Sequence, residues 1–284
     1  MSTAGAGRVL VIGRSTELVN ALKRESEVHR HGIDTCDGAV EALHRLQSRA
    51  ADVVVTDPDT SLGEDVALCA LLRERRPGVK VIALAPAVAP DDVIAALRAH
   101  VFACYTRPFD LREIVDMVRA ALGAGDWHDG IEVVSGAPHW LTLRVSCRLL
   151  TADRLVRFMT ELQSGVVDDD SERNLLLTAF REMLLNAMEH GGGFDPEQVI
   201  EVTAALTARA IVYHFRDPGP GFDQAALAHA TVSSAPDAVM ATAAHRDSAG
   251  LRPGGFGMLI VRQVVDEVAY NERGNEVLLI KHRS

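Results

Sequence analysis

Four short apolar runs in the first 122 residues, separated by helix-length segments, leave few folds open to this chain. They are Val9–Ile12, Val53–Val55, Val79–Leu84 and Val101–Tyr105, each brief, rich in β-branched residues and bounded by Gly, Pro or Asp. Between and after them, Thr16–Arg24, Ala39–Arg49, Glu64–Arg75, Pro90–His100 and Leu111–Leu122 repeat apolar residues at three-to-four spacing, the period of an amphipathic helix. A strand that is apolar along its whole length must be covered on both faces. Alternation with helices supplies that cover. The pattern predicts an α/β domain over residues 1–122, a doubly wound parallel sheet of five strands.

A chain of 284 residues holds enough material for two cores. Residues 123–138, which open Gly-Ala-Gly-Asp-Trp-His-Asp-Gly and include a short strand at Ile131–Val134, mark the boundary. Trp127 and Trp140 flank it and are expected to pack it. Beyond it, Trp140–Val145 alternates as a half-buried strand, and Thr151–Gln163 and Ser171–His190 read as helices, the second stopped by Gly191-Gly-Gly193. Val199–Leu206 and Ala210–Arg216 form a hairpin, a stretch rich in Ala, Ser, Pro and Gly runs from Ala225 to Gly255, and helix Met258–Glu267 and strand Glu276–His282 follow. Strands mixed with helices predict a second domain over 139–284, an α/β sandwich with an antiparallel or mixed sheet.

Charge narrows the partners. The chain carries 29 basic against 39 acidic residues, a net charge of −10, and the excess lies after residue 122. Neutralising duplex phosphates needs clustered Lys and Arg, and no helix-turn-helix is recognisable, so no direct nucleic-acid contact is expected. No apolar run approaches the roughly 18–20 residues of a membrane span, and Met1–Gly7 lack the apolar stretch of a secretion signal. Cys36, Cys69, Cys104 and Cys147 have no CxxC or framework spacing and read as reduced core thiols of a cytoplasmic protein. His29 and His31 have no third ligand in register and are expected to face solvent.

Three polar boxes interrupt the apolar second half. Glu182, Asn186 and His190 lie four apart on a helix that is otherwise largely apolar. Steps of four advance only about 40°, so the three share one stripe. Asp217-Pro-Gly-Pro-Gly-Phe222 follows the strand end, where Gly219 and Gly221 permit either close backbone approach or a tight turn. Arg252-Pro-Gly-Gly-Phe-Gly257 opens a helix, whose free N–H groups suit a phosphate. Any one of these has an ordinary structural explanation. The three together, in this order, are far more specific.

Glu182-x-x-x-Asn186-Ala187-x-x-His190, Asp217-x-Gly219-x-Gly221 and Gly255-x-Gly257 resemble the N, G1 and G2 boxes of the gyrase/histidine-kinase ATPase superfamily. The most similar subgroup is the anti-sigma-factor serine kinases. The resemblance implies a Bergerat-type ATP-binding fold in which Asn186 holds Mg²⁺ and Glu182 acts as the catalytic base. It further implies that Asp217, Gly219 and Gly221 seat adenine, that Gly255 and Gly257 bring a helix N-terminus to the phosphates, and that the Ala225–Gly255 stretch is a lid. Arg246 and Arg252 are candidate phosphate contacts there. A solvated loop arginine is the alternative reading of each.

The first half resembles the flavodoxin-like receiver domain of two-component response regulators over residues 8–122, on Asp52-Val-Val-Val-Thr-Asp57 and Tyr105-Thr-Arg-Pro-Phe109. Asp57 matches the phospho-acceptor. Gly13-Arg14 stands where receivers carry an acidic pair, Ala85 where they carry Ser or Thr, and Arg107 where they carry lysine. These departures favour a pseudo-receiver serving interaction or dimerisation, with Arg14 expected to pair with Asp57, over the alternative of a switch phosphorylated at Asp57.

The leading expectation is an ATP- and Mg²⁺-dependent serine/threonine protein kinase. Its partner would be a protein such as an anti-sigma-factor antagonist or a sigma factor, and a homodimer follows by family analogy. The alternative is a nucleotide-sensing module without turnover. A histidine kinase would need a phospho-acceptor on a dimerising helix pair, and neither His128 nor His139 lies on a convincing helix.

Overall fold

The structure, a computed structural model, describes residues 7–29, 31–48, 50–124, 129–137, 139–221 and 257–283. The chain divides into two compact units. The cut falls after Asp129, with Arg157–Gly165 counted in the first unit.

In the first unit the strands are β1 (Arg8–Ile12), β2 (Gly32–Cys36), β3 (Val53–Val55), β4 (Lys80–Ala85) and β5 (Ala103–Thr106). Helices α1 (Thr16–His29), α2 (Ala39–Ser48), α3 (Leu62–Arg75), α4 (Pro90–Arg98) and α5 (Leu111–Gly123) alternate with them. All pairs are parallel, in the order β2-β1-β3-β4-β5. The four apolar runs fall on β1, β3, β4 and β5. The remaining strand, β2, reads Gly-Ile-Asp-Thr-Cys and buries only Cys36, because an edge strand needs less cover. Helix starts are set locally. Ser61 and Glu64 form a reciprocal capping box at α3 (3.3 Å and 2.9 Å), a device that stabilises a helix by about 1 kcal/mol. Asp110 caps α5 through the Arg112 N–H (2.8 Å).

The second unit holds β6 (Ile131–Ala137), β7 (Trp140–Ser146), the first half of α6 (Leu149–Ser164), α7 (Asp170–Asn186), β8 (Val199–Leu206), β9 (Ala210–Arg216), α8 (Gly257–Val264), β10 (Glu267–Tyr270) and β11 (Glu276–His282). The sheet order is β10-β11-β9-β8-β7-β6. Of the antiparallel and mixed sheets that the sequence left open, it is the antiparallel one: every described pair runs antiparallel, with no mixed pairing. Three of the pairs are hairpins, whose short links permit only that direction. The last helix is shorter than expected and ends at Val264. Asp266 leaves it, donating its N–H to the Ile280 carbonyl (2.8 Å) and accepting the His282 N–H (2.7 Å), which starts β10. Trp140, expected to be packed, is 54% exposed, because the inward register of β7 belongs to Leu141, Leu143 and Val145. Trp127 lies outside the described residues, as does His128, and His139 is an exposed turn residue between β6 and β7.

Helix α7 is anchored to this sheet by Phe180. Its ring meets Tyr213 edge-on at 5.1 Å and Phe215 at 5.2 Å, both on the inward face of β9. Burying such a ring stabilises by roughly 2–3 kcal/mol, and each aromatic pair adds about 1 kcal/mol. With Leu176, Leu184 and Leu185 also buried, the rotation of α7 is fixed. Glu182 and Asn186 are left half-buried on the expected stripe and His190 exposed. All four cysteines are free and buried. Among the described residues no helix is long and apolar enough to cross a membrane.

Candidate nucleotide-binding site

Asp217, directly after β9, is held by its backbone before its side chain makes any contact. Its N–H donates to the Asn275 carbonyl (3.0 Å), and the Asn275 Nδ2 donates to the Asp217 carbonyl (3.1 Å). The Gly219 N–H then donates to Asp217 Oδ1 (2.8 Å). Two glycines close around this carboxylate. A Cβ on Gly191 would overlap the Asp217 side chain, and one on Gly219 would lie 2.8 Å from both Asp217 Oδ1 and Gly191 Cα. Gly191 reaches this point because α7 ends in a π-helical turn over Ala187–Gly191, a widening of the helix often found at functional sites. Gly221 has φ +81°, and a Cβ there would overlap the Arg273 carbonyl. Burial raises the pKa of the Asp217 carboxyl; the Gly219 N–H and the charges of Arg273 and His190 oppose it. The result is a partly desolvated acceptor with one oxygen occupied, suited to a ligand amino group.

A second group of candidate residues belongs to α7 and α8, which pack on each other. Gly257 begins α8, and a Cβ there would overlap Glu182 Oε2. Glu182 therefore sits against a helix N-terminus whose free N–H groups favour phosphate. Asn186, one turn on, is half-buried and makes no capping hydrogen bond. Its amide oxygen fits a hard cation that keeps several waters and is shared with substrate phosphates. Among the described residues no cluster of three His, Cys, Asp or Glu side chains could hold a metal by itself. The structure thus brings Asp217 and Gly219 together beside Gly191, sets Gly221 against Arg273, and places Glu182 beside Gly257, all within the second unit. Gly255, Arg246 and Arg252 lie outside the described residues.

Sequence reasoning missed Gly191, Asn271, Arg273 and Asn275. Gly191 opens Gly191-Gly-Gly193, which reads only as a helix stop. The other three belong to Asn271-Glu-Arg-Gly-Asn275, an ordinary turn composition whose contacts with Asp217 and its glycines span more than fifty residues.

In the first unit Asp57 follows β3 and is half-buried. Its Oδ1 accepts the Asp59 N–H (3.0 Å), and its carboxylate covers Gly13 so closely that a Cβ there would overlap it. The expected Arg14–Asp57 pair is absent. Arg14 instead pairs with Asp37 (3.2 Å), both exposed. The cause is local: Gly13 adopts φ +90° and donates its N–H to the Cys36 carbonyl (2.8 Å), which brings the end of β1 beside Asp37. Arg107 pairs with Asp59 (2.5 Å), not with Asp57.

Comparison with known proteins gives each part of the chain a family match. Residues 146–281 match the family model "Histidine kinase-like ATPase domain", and residues 9–119 match "Response regulator receiver domain". The transcriptional regulatory protein PrrA of Mycobacterium leprae is 28% identical over 115 residues, 40% of this chain and 49% of PrrA; the Mycobacterium tuberculosis protein of that name matches to the same extent. The chain spans about half the length of the curated relatives it matches. Among solved structures, a CheY-like receiver domain protein from Methanospirillum hungatei is 20% identical, with TM-score 0.36 over 42% of this chain and 94% of that one. A response regulator from Thermotoga maritima is 22% identical, with TM-score 0.36 over 41% and 98%. The chain joins a response regulator receiver domain to a histidine kinase-like ATPase domain.

Proposed function

We propose that the second unit is an ATP-dependent serine/threonine protein kinase of the anti-sigma-factor type. The observation that carries this reading is the pairing of two ends in one unit: Asp217 enclosed by Gly191 and Gly219, and Glu182 set at the start of α8. Asp217 accepts the adenine amino group. The first N–H groups of α8 face the phosphates, where charge grows during transfer. Glu182 takes the proton from the attacking Ser or Thr hydroxyl as its oxygen bonds to the terminal phosphorus and ADP leaves. Asn186 would hold Mg²⁺, which neutralises phosphate charge when bound.

Incubated with Mg-ATP and its protein partner, the wild-type chain is expected to phosphorylate a Ser or Thr. Glu182→Ala should lose transfer by at least about a hundredfold while retaining ATP affinity within about threefold. ATP bound but left intact with every partner would make the unit a nucleotide sensor. Loss of ATP binding in Glu182→Ala would remove the residue from the base role.

The partner we propose is an anti-sigma-factor antagonist or a sigma factor in the cytoplasm, with no direct part for nucleic acid or membrane. The first unit serves as a regulatory or dimerisation module that is not phosphorylated at Asp57. Gly13-Arg14 provides no carboxylate to help hold a cation, Arg14 is committed to Asp37, and Arg107 to Asp59. An incoming phosphoryl group would find its charge poorly compensated. Treatment with a small-molecule phosphodonor and Mg²⁺ is expected to give no Asp57 adduct by intact mass. A stoichiometric acid-labile adduct would show that Asp57 is a working acceptor.

A further inference from the structure

We infer that Arg273 is a positioning residue which, from the turn between β10 and β11, sets the base preference of the pocket in favour of an amino-bearing purine. The inference rests on the nucleotide-site reading above. The turn is rigid by its own bonding. Asn271 Oδ1 accepts the N–H groups of Gly274 (2.8 Å), Asn275 (3.1 Å) and Glu276 (3.2 Å). Asn271 Nδ2 donates to Asn275 Oδ1 (3.0 Å), which orients the buried Asn275 amide toward the Asp217 carbonyl. From this platform Arg273 reaches back over the glycine turn. Its Nη2 donates to the Gly219 carbonyl (3.1 Å) and its Nε to the Pro220 carbonyl (3.3 Å).

Gly219 is therefore gripped from both sides, its carbonyl by Arg273 and its N–H by Asp217 Oδ1. With that oxygen fixed, the second carboxylate oxygen keeps one direction and is left for a ligand donor. An exocyclic amino group satisfies it. A carbonyl at the same place sets two acceptors against each other, and a buried unpaired polar group weakens binding. The planar guanidinium matters because it spans two successive carbonyls, which an ammonium cannot reproduce. Arg273 itself is exposed and lies outside the hydrophobic core, so its removal need not unfold the unit.

ATP and ITP differ only along one base edge, the 6-amino group and acceptor N1 of adenine becoming a 6-carbonyl and an N1–H, so they report on that edge. Titration calorimetry of the full chain with each nucleotide and Mg²⁺ is expected to give a wild-type preference for ATP. Arg273→Ala should weaken ATP by about tenfold or more and ITP by less than about threefold, and Arg273→Lys should recover only part of the preference. An unchanged preference in Arg273→Ala, whether both affinities hold or both fall equally, overturns the inference. Full recovery by lysine overturns it too, since charge alone would then suffice. Should the alanine variant fail to fold, Arg273→Gln, which keeps much of the stem and one donor group, decides by the same ratio. The site reading is judged separately: it stands if the wild type binds ATP and Asp217→Asn does not, and it falls if the wild type binds neither nucleotide.

Discussion

Gly191→Ala is expected to reduce ATP affinity by more than about a hundredfold, on the order of 3 kcal/mol, while leaving the second unit folded. The added methyl group would overlap not a flexible tip but the Cβ and Cγ of Asp217. That side chain cannot swing away with its backbone, because Asn275 holds the Asp217 N–H and carbonyl together. Nor can Gly219 yield easily, since it approaches Gly191 Cα from the other side and its carbonyl is bound by Arg273. The clash is relieved only if the π-helical turn moves outward or Asp217 turns from the cavity. Either opens the base end of the pocket. The core around Phe180 is more than two turns away on α7 and is untouched. Calorimetry with ATP, beside circular dichroism and a melting curve of the nucleotide-free chain, separates the two effects. Wild-type affinity in the alanine variant would mean that Gly191 and Asp217 do not form one end of the site.

The contrast between Gly191 and its neighbours shows what a sequence carries. Glu182 and Asn186 were legible because a helix repeats on itself: positions four apart share a face whatever the rest of the chain does. Asp217 and Gly219 were legible because they mark the end of an alternating strand. Gly191 stops a helix in sequence, and its second role exists only once Asp217, twenty-six positions on, is placed beside it. Long-range pairing hid other features in the same way. The composition of β9 and β11 shows two strands but not that they pair antiparallel, Ile211 opposite Lys281. Arg14 could be paired with Asp57 on charge alone; the parallel register of β1 and β2, ending at Ile12 opposite Cys36, gives it to Asp37 instead. The edge strand β2 was hidden for a different reason. It lacks the burial that would write itself into an apolar run.

The largest stability effect is expected at Asp65, in the first turn of α3, a residue buried to 2% exposure. It accepts a hydrogen bond from Thr56 Oγ1 (2.7 Å), which in turn accepts the Leu84 N–H of β4 (2.9 Å), and lies 2.9 Å from Thr60 Oγ1, whose one proton is shared with the nearer Asp57 carbonyl (2.7 Å). Burial pushes its pKa from the ordinary 3.8 up to about 7, against the pull of the two hydroxyls and with a small push from Glu64 and Asp57. Because the folded value lies above the unfolded one, the folded chain binds the extra proton between them. The stability this contributes is complete below about pH 4 and is lost as pH rises through about 7. Asparagine has no charge to bury at any pH and can keep the bonds: its carbonyl accepts from Thr56, and its amide donates to Thr60, whose hydroxyl already donates to the Asp57 carbonyl (2.7 Å). Asp65→Asn should therefore match the wild type near pH 4 and exceed it by roughly 2–4 kcal/mol at pH 8. Urea-dependent hydrogen exchange of the β3 and β4 amides at both pH values reads this in the first unit alone. Parallel pH slopes in the two proteins would place the proton elsewhere, since removal of the titrating group must flatten the curve.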